Sequence, residues 1–179
     1  MSAYINKEAI SFTLDERKII YSWPIENQFI EVFVDGKARV FKHLIKQVLS
    51  EDYGRVLDVA TSFALSNQSA VYILPDINRH EVAFRKMIGL PEGSSTSPDL
   101  MLRTGCFIKV KSPISIDTIT GNACKACRQF ATACLTGNRL ELRKEKVDQY
   151  AKWVFRSPSY CYRNVFFWID GVLYKRSKD

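Results

Sequence analysis

Two runs near opposite ends of the sequence do most to limit its fold. FIEVFVDGKARVF (29–41) and NVFFWIDGVLYKR (164–176) each alternate β-branched and aromatic residues around an Asp-Gly pair, a strong local signal for a tight hairpin. Between them the hydrophobic period switches repeatedly. Ser50 is a good N-cap, with Glu51 and Asp52 in the first turn. Tyr53, Val56, Leu57, Ala60, Phe63 and Ala64 then recur at helical spacing, predicting an amphipathic helix to about Asn67. AVYILP reads as a buried strand stopped by Pro75, HEVAFRKMIGL as a short helix or turn, and PEGSSTS as a loop. DLMLRTGCFIKVK predicts two strands around Thr104-Gly105. TGNACKACRQF has helical character, ATACLT is strand-like, and RKEKVDQYAKWVF is a helix with Val147, Tyr150, Ala151 and Val154 on its apolar side.

Strands interleaved with helices predict one α/β domain: a mixed central sheet flanked by helices, with a hairpin at each end. The domain is expected over 28–179. Residues 1–27 form an extension of unclear role, in which AISFTL and KIIYSW read as short strands before a break at Pro24.

At 179 residues and 46% hydrophobic, the chain can bury a continuous core. Its longest apolar runs, such as VFFWI and VYIL, fall far short of the roughly 18 residues needed to cross a bilayer, and MSAYINKEAI lacks a signal-peptide core. The expectation is a soluble, cytoplasmic protein with no membrane partner. Three of the five cysteines, Cys124, Cys127 and Cys134, cluster in NACKACRQFATAC. A structural zinc site wants four ligands, and only His43 and His80 stand elsewhere in place of a second pair. These cysteines therefore read as small apolar residues kept reduced. No phosphate-binding glycine loop and no nucleophile elbow is present.

The net charge is +7, and its distribution is uneven. Residues 1–121 carry 14 basic and 14 acidic side chains, whereas residues 122–179 carry 12 and 5. A polyanion would feel that C-terminal excess as a salt-sensitive attraction. Lys125 and Arg128, with Arg156 and Arg163 from the aromatic run FRSPSYCYRNVFFW, are the candidate nucleic-acid contacts. The competing reading is a solvated basic face and a core strand with charges at its edge.

The stretch that could carry chemistry is SPDLMLRTGCFIKVKSP (97–113). A PD-(D/E)xK nuclease sets one acid at the start of a strand and a second on the next, so that both meet at one divalent ion. A lysine two residues past the second acid shares its face of the strand. Pro98-Asp99 supplies the first acid and Lys111 the lysine. The position two before Lys111 should be acidic, and it is Lys109. An ammonium there changes the local charge by two units and disfavours metal binding, unless another acid such as Glu81 or Asp117 takes the role.

In order and short motifs, residues 29–175 resemble the PD-(D/E)xK-like toxin domains of bacterial polymorphic and contact-dependent inhibition systems, and related domains of phage and mobile elements. The segments that carry the likeness are FVDGKARVF, the helix EDYGRVLDVATSFALSN, AVYILPDI, SPDLMLRTGCFIKVKSP, CRQFATACLTGN and VFFWIDGVLYK. The resemblance implies a restriction-endonuclease-like fold and cleavage of RNA, often transfer RNA, or DNA with Mg²⁺ or Mn²⁺, delivered into a target cytoplasm and blocked by a cognate immunity protein. It makes Asp99 the first metal ligand and Lys109 the altered second one. Lys111 becomes the motif's lysine, Gln129 the glutamine of the following helix, and Glu81 the additional upstream acid. Glu81 has a plainer alternative as a helix-start carboxylate. The missing acid leaves open a catalytically silent module of the same fold that binds nucleic acid or protein.

Overall fold

A computed structural model of the chain describes residues 12–91 and 97–179, the side chain of Glu51 aside. The first half of AISFTL and most of the PEGSSTS loop lie outside the described residues. The segment KIIYSW does not form a strand. It belongs to α1 (Leu14–Tyr21) and the turn after it. Thr13 and Glu16 form a capping box in which the Glu16 N–H donates to Thr13 Oγ1 (3.2 Å) and the Thr13 N–H to Glu16 Oε2 (2.7 Å). This satisfies two orphan amides, and the local helix signal outweighs the β-rich look of Ile19, Ile20 and Tyr21.

The remaining elements follow the order read from the sequence. They are β1 (Phe29–Asp35), β2 (Ala38–His43), α2 (Glu51–Asn67), β3 (Ala70–Ile73), α3 (Val82–Ile88), β4 (Leu100–Leu102), β5 (Phe107–Lys111), α4 (Ile119–Arg128), β6 (Thr132–Thr136), α5 (Val147–Arg156), β7 (Asn164–Ile169) and β8 (Val172–Ser177). All eight strands form one mixed sheet, ordered as in the chain. Both terminal hairpins are present, but their Asp-Gly pairs sit differently. Asp35 pairs with Ala38, leaving Gly36 at φ +60° as the first turn residue, whereas Ile169 pairs with Val172 and both Asp170 and Gly171 have positive φ. Either geometry matches the strand twist, and each uses the glycine's freedom at a different turn position.

β3, β4 and β5 run antiparallel in succession, while α2, α4 and α5 each cross over to a parallel neighbour. α2 covers one face, packing Val56, Ala60 and Phe63 on Val40, Val71, Ile73, Leu100, Ile108 and Val110. On the other face α4 and α5 cover Ala133, Leu135, Val165 and Phe167. Farther along that face, α1 and α3 enclose a third cluster in which Tyr21 stacks on Phe84 at 4.4 Å, against Met101 and Phe107. Residues 12–27 thus help to close the core.

This layering positions the site. Ile108 and Val110 point toward α2, so the period-two alternation of β5 turns Lys109 and Lys111 to the opposite face. There they pair in register with Ala133 and Leu135, beneath α4, and follow Phe107, beneath α1 and α3. Lys109 lines the gap between the two helical layers, with Leu14, Glu81 and Gln129 around it.

Candidate functional site

Asp99 is held by its backbone before its side chain does anything. Its N–H donates to the Ile108 carbonyl (3.0 Å), and its carbonyl accepts the Leu74 N–H (2.9 Å), fixing it between β3 and β5 at the start of β4. The carboxylate then reaches across to β5. Oδ2 accepts the Val110 N–H at 2.8 Å, and Oδ1 lies 3.2 Å from Lys109 Nζ, which also donates to the Ser97 carbonyl at 2.9 Å. The side chains of Lys109 and Asp99 are only 18% and 13% exposed. Both oxygens of Asp99 are therefore engaged, and Lys109 supplies the positive charge beside it.

Lys111 is half-buried on the same face. Burial holds its ammonium below the usual lysine range, Lys109 and Lys125 push the same way, and Asp99 partly offsets them. Its ammonium makes no hydrogen bond or ion pair among the described residues. Lys111 thus feels two further lysines and the one carboxylate that Lys109 already neutralises.

Lys109 also lines a cavity of about 790 Å³ with Ser97, Asn78, His80, Glu81 and Gln129. Gln129 is the C-cap of α4, and its Oε1 is buried with no hydrogen-bond partner among the described residues. Glu81 stands at the start of α3 as its N-cap, although its side chain makes no capping hydrogen bond. Instead Oε1 accepts Arg17 Nε at 2.6 Å, while Oε2 accepts Arg17 Nη2 at 2.9 Å and the Asn78 N–H at 2.9 Å. Burial pushes the Glu81 carboxyl up, but the Arg17 and Asn78 hydrogen bonds outweigh it and hold the group below the usual carboxylate range.

Each of the two candidate metal acids thus carries its own internal cation, Lys109 on Asp99 and Arg17 on Glu81. As arranged, these residues do not fit a divalent ion. Their oxygens are occupied, an ammonium stands beside Asp99, and no three His, Cys, Asp or Glu among the described residues are grouped so as to hold a metal. Arg17 was not legible as a site residue, because it lies in the N-terminal stretch with no motif around it.

The candidate nucleic-acid contacts divide. Lys125 and Arg128 are exposed on the last turn of α4, and Lys125 is near enough to act on Lys111. Arg156 lines a separate cavity of about 470 Å³ with Lys152, Arg176 and Lys178, between α5 and β8. Arg163 is exposed just before β7. Aromatics of the surrounding run serve the core rather than a stacking surface: Tyr160 and Phe167 are buried, and Phe166 packs on Phe63 at 4.8 Å. His43 is buried, paired with Gln28 at 2.9 Å, and burial pushes it down to about 3, so it stays neutral. The exposed His80 accepts a hydrogen bond from Arg79 at 3.2 Å on the wall of the larger cavity.

The fold and site define an α/β protein with a single mixed sheet and an internally paired carboxylate in the gap between its helical layers. Comparison of the sequence with protein-family models and curated proteins, and of the fold with solved structures, finds no match. No helix among the described residues is long and apolar enough to cross a membrane.

Proposed function

We propose that the chain is a nuclease-fold domain of the PD-(D/E)xK kind, related to toxin or mobile-element effectors, in which the ammonium of Lys109 has replaced the metal. In this form it holds nucleic acid without cutting it. The observation that carries the reading is the Lys109 Nζ to Asp99 Oδ1 contact of 3.2 Å, at the position where the motif needs its second acid. Asp99 begins one strand and Lys109 and Lys111 lie on the next, antiparallel to it, as the motif requires. A mixed sheet with α2 on one face and α4 on the other is in keeping with a restriction-endonuclease-like core.

A lysine can neutralise a phosphate where a metal ion would have done so. It cannot lower the pKa of a bound water or clamp the leaving oxygen as a divalent ion does. Lys109, Lys111 and Lys125 then form a cationic strip for a phosphate backbone, to which the side-chain NH₂ of Gln129 would donate. A cognate immunity protein is the protein partner this reading implies.

The test is incubation of labelled transfer RNA and plasmid DNA with the unaltered chain and with Lys109→Glu, with and without Mg²⁺. The unaltered chain should bind with a steep salt slope and cut neither polymer, while the glutamate variant should gain Mg²⁺-dependent cleavage. Cleavage by the unaltered chain, or failure to bind either polymer, overturns the reading.

A further inference from the structure

Away from the lysine cluster, two thiols lie together with no role in the site. Cys127 is buried in the last turn of α4, and Cys161 is exposed in the connection between α5 and β7. The Cys161 N–H donates to Cys127 Sγ at 3.3 Å, which sets the Cys161 backbone directly against that sulfur. The segment that carries Cys161 is pinned on its N-terminal side. The Tyr160 N–H donates to the Ser157 carbonyl at 3.2 Å, and the Tyr160 hydroxyl donates to the Asn164 carbonyl at 2.5 Å and accepts the Ala133 N–H at 3.3 Å. The sulfurs are therefore held near each other by a fixed backbone. By contrast, Cys124 contacts Ser157 Oγ at 3.4 Å, and Cys134 is fully buried in β6.

We infer that Cys127 and Cys161 form a reversible disulfide in the presence of a small-molecule disulfide such as oxidised glutathione, clamping the end of α4 to the strand connection. Burial pushes the Cys127 thiol up to about 11, so the exposed Cys161 reacts first. Its thiolate attacks the glutathione disulfide. A bond forms between Cys161 Sγ and one glutathione sulfur, the glutathione S–S bond breaks, and the expelled thiolate takes up the proton that Cys161 gave. Cys127 then gives up its proton and attacks Cys161 Sγ, releasing the second glutathione as a thiol. The protein loses two protons and two electrons, and one oxidised glutathione becomes two reduced ones. The clamp closes two residues before Gln129, so it stiffens the end of α4 that faces the lysine cluster.

The test is incubation with oxidised glutathione, alkylation of the remaining thiols and tryptic digestion, with thermal unfolding of the same samples. The peptide 126–128 should appear linked to 157–163, two hydrogens lighter than their sum. The unfolding midpoint should rise by roughly 5–10 °C, and dithiothreitol should reverse both. Cys161→Ser should lose the link and the shift, and Cys124→Ser should keep them. Alkylation of both Cys127 and Cys161, a lasting glutathione adduct on Cys161, a link from Cys161 to Cys106, or a link without a rise in midpoint would each overturn the inference.

Discussion

Two successive residues of β5 grip the carboxylate of Asp99: Lys109 through its ammonium, 3.2 Å from Oδ1, and Val110 through its N–H, 2.8 Å from Oδ2. The strand thus brings both a charge and a backbone donor to the acid, with little water between. Each partner should be costly to remove alone. Lys109→Met and Asp99→Asn should each lower stability by about 1–3 kcal/mol, and the double variant should lose less than their sum by about 1–2 kcal/mol. Denaturant unfolding of the four proteins measures this coupling. A coupling near zero would mean the contact is incidental.

Arg17 and Glu81 form the second such pair, at 14% and 11% side-chain exposure, and Arg17 also donates to the Asp76 carbonyl at 2.7 Å. Arg17→Met should destabilise by about 2–4 kcal/mol, since it leaves a mostly buried carboxylate without its bidentate cation. The pH dependence carries the sign. Glu81 is held below its ordinary value in the folded chain, so its share of stability is present above about pH 4.5 and is lost as pH falls through its folded value. That acid-side loss should shrink in Arg17→Met, as read from unfolding curves between pH 5 and 3.

His43 gives a separate pH signature. Its folded value is pushed down to about 3, chiefly by burial, so between roughly pH 6.5 and 3 the unfolded chain takes up a proton that the folded chain refuses. Stability from this residue is complete above about pH 6.5 and falls on acidification, with a slope near 1.4 kcal/mol per pH unit once the unfolded histidine is protonated. Chemical denaturation from pH 7 to 5 reads it largely free of carboxylate titration. His43→Asn should flatten the curve in that range. An unchanged slope would show that another group governs it.

If nucleic acid lies along Lys109, Lys111 and Lys125, then Lys111→Met and Lys125→Met should each reduce the salt slope of binding by about 1. Arg156→Met should leave it nearly unchanged, because Arg156 lines a separate cavity with Arg176 and Lys178. Fluorescence anisotropy across a salt series distinguishes the two surfaces. A drop confined to Arg156→Met would move the interface to the α5 and β8 side.

Much of this fold could be read because its signals are local. Asp35-Gly36 and Asp170-Gly171 mark both hairpins, and Pro75 follows the end of β3. The spacing of Tyr53, Val56, Ala60 and Phe63 predicts the face of α2 that packs on the sheet. α1 was missed because Ile19, Ile20 and Tyr21 suggest a strand, while the signal that decides the matter, Thr13 with Glu16, lies just upstream. In the site, alternation along β5 sufficed to put Lys109 and Lys111 on one face. Motif spacing also marked Asp99 and position 109 as neighbours. What spacing could not supply was Arg17 on Glu81, a contact across 64 positions that depends on how α1 packs against α3.

The most direct test of the central claim, that Lys109 stands in the place of a metal, is calorimetric titration with Mn²⁺. The unaltered chain should bind none. Lys109→Glu should bind one ion per chain in the millimolar range or tighter, and adding Asp99→Asn to that variant should abolish the binding. Mn²⁺ binding by the unaltered chain that disappears in Asp99→Asn would contradict the account.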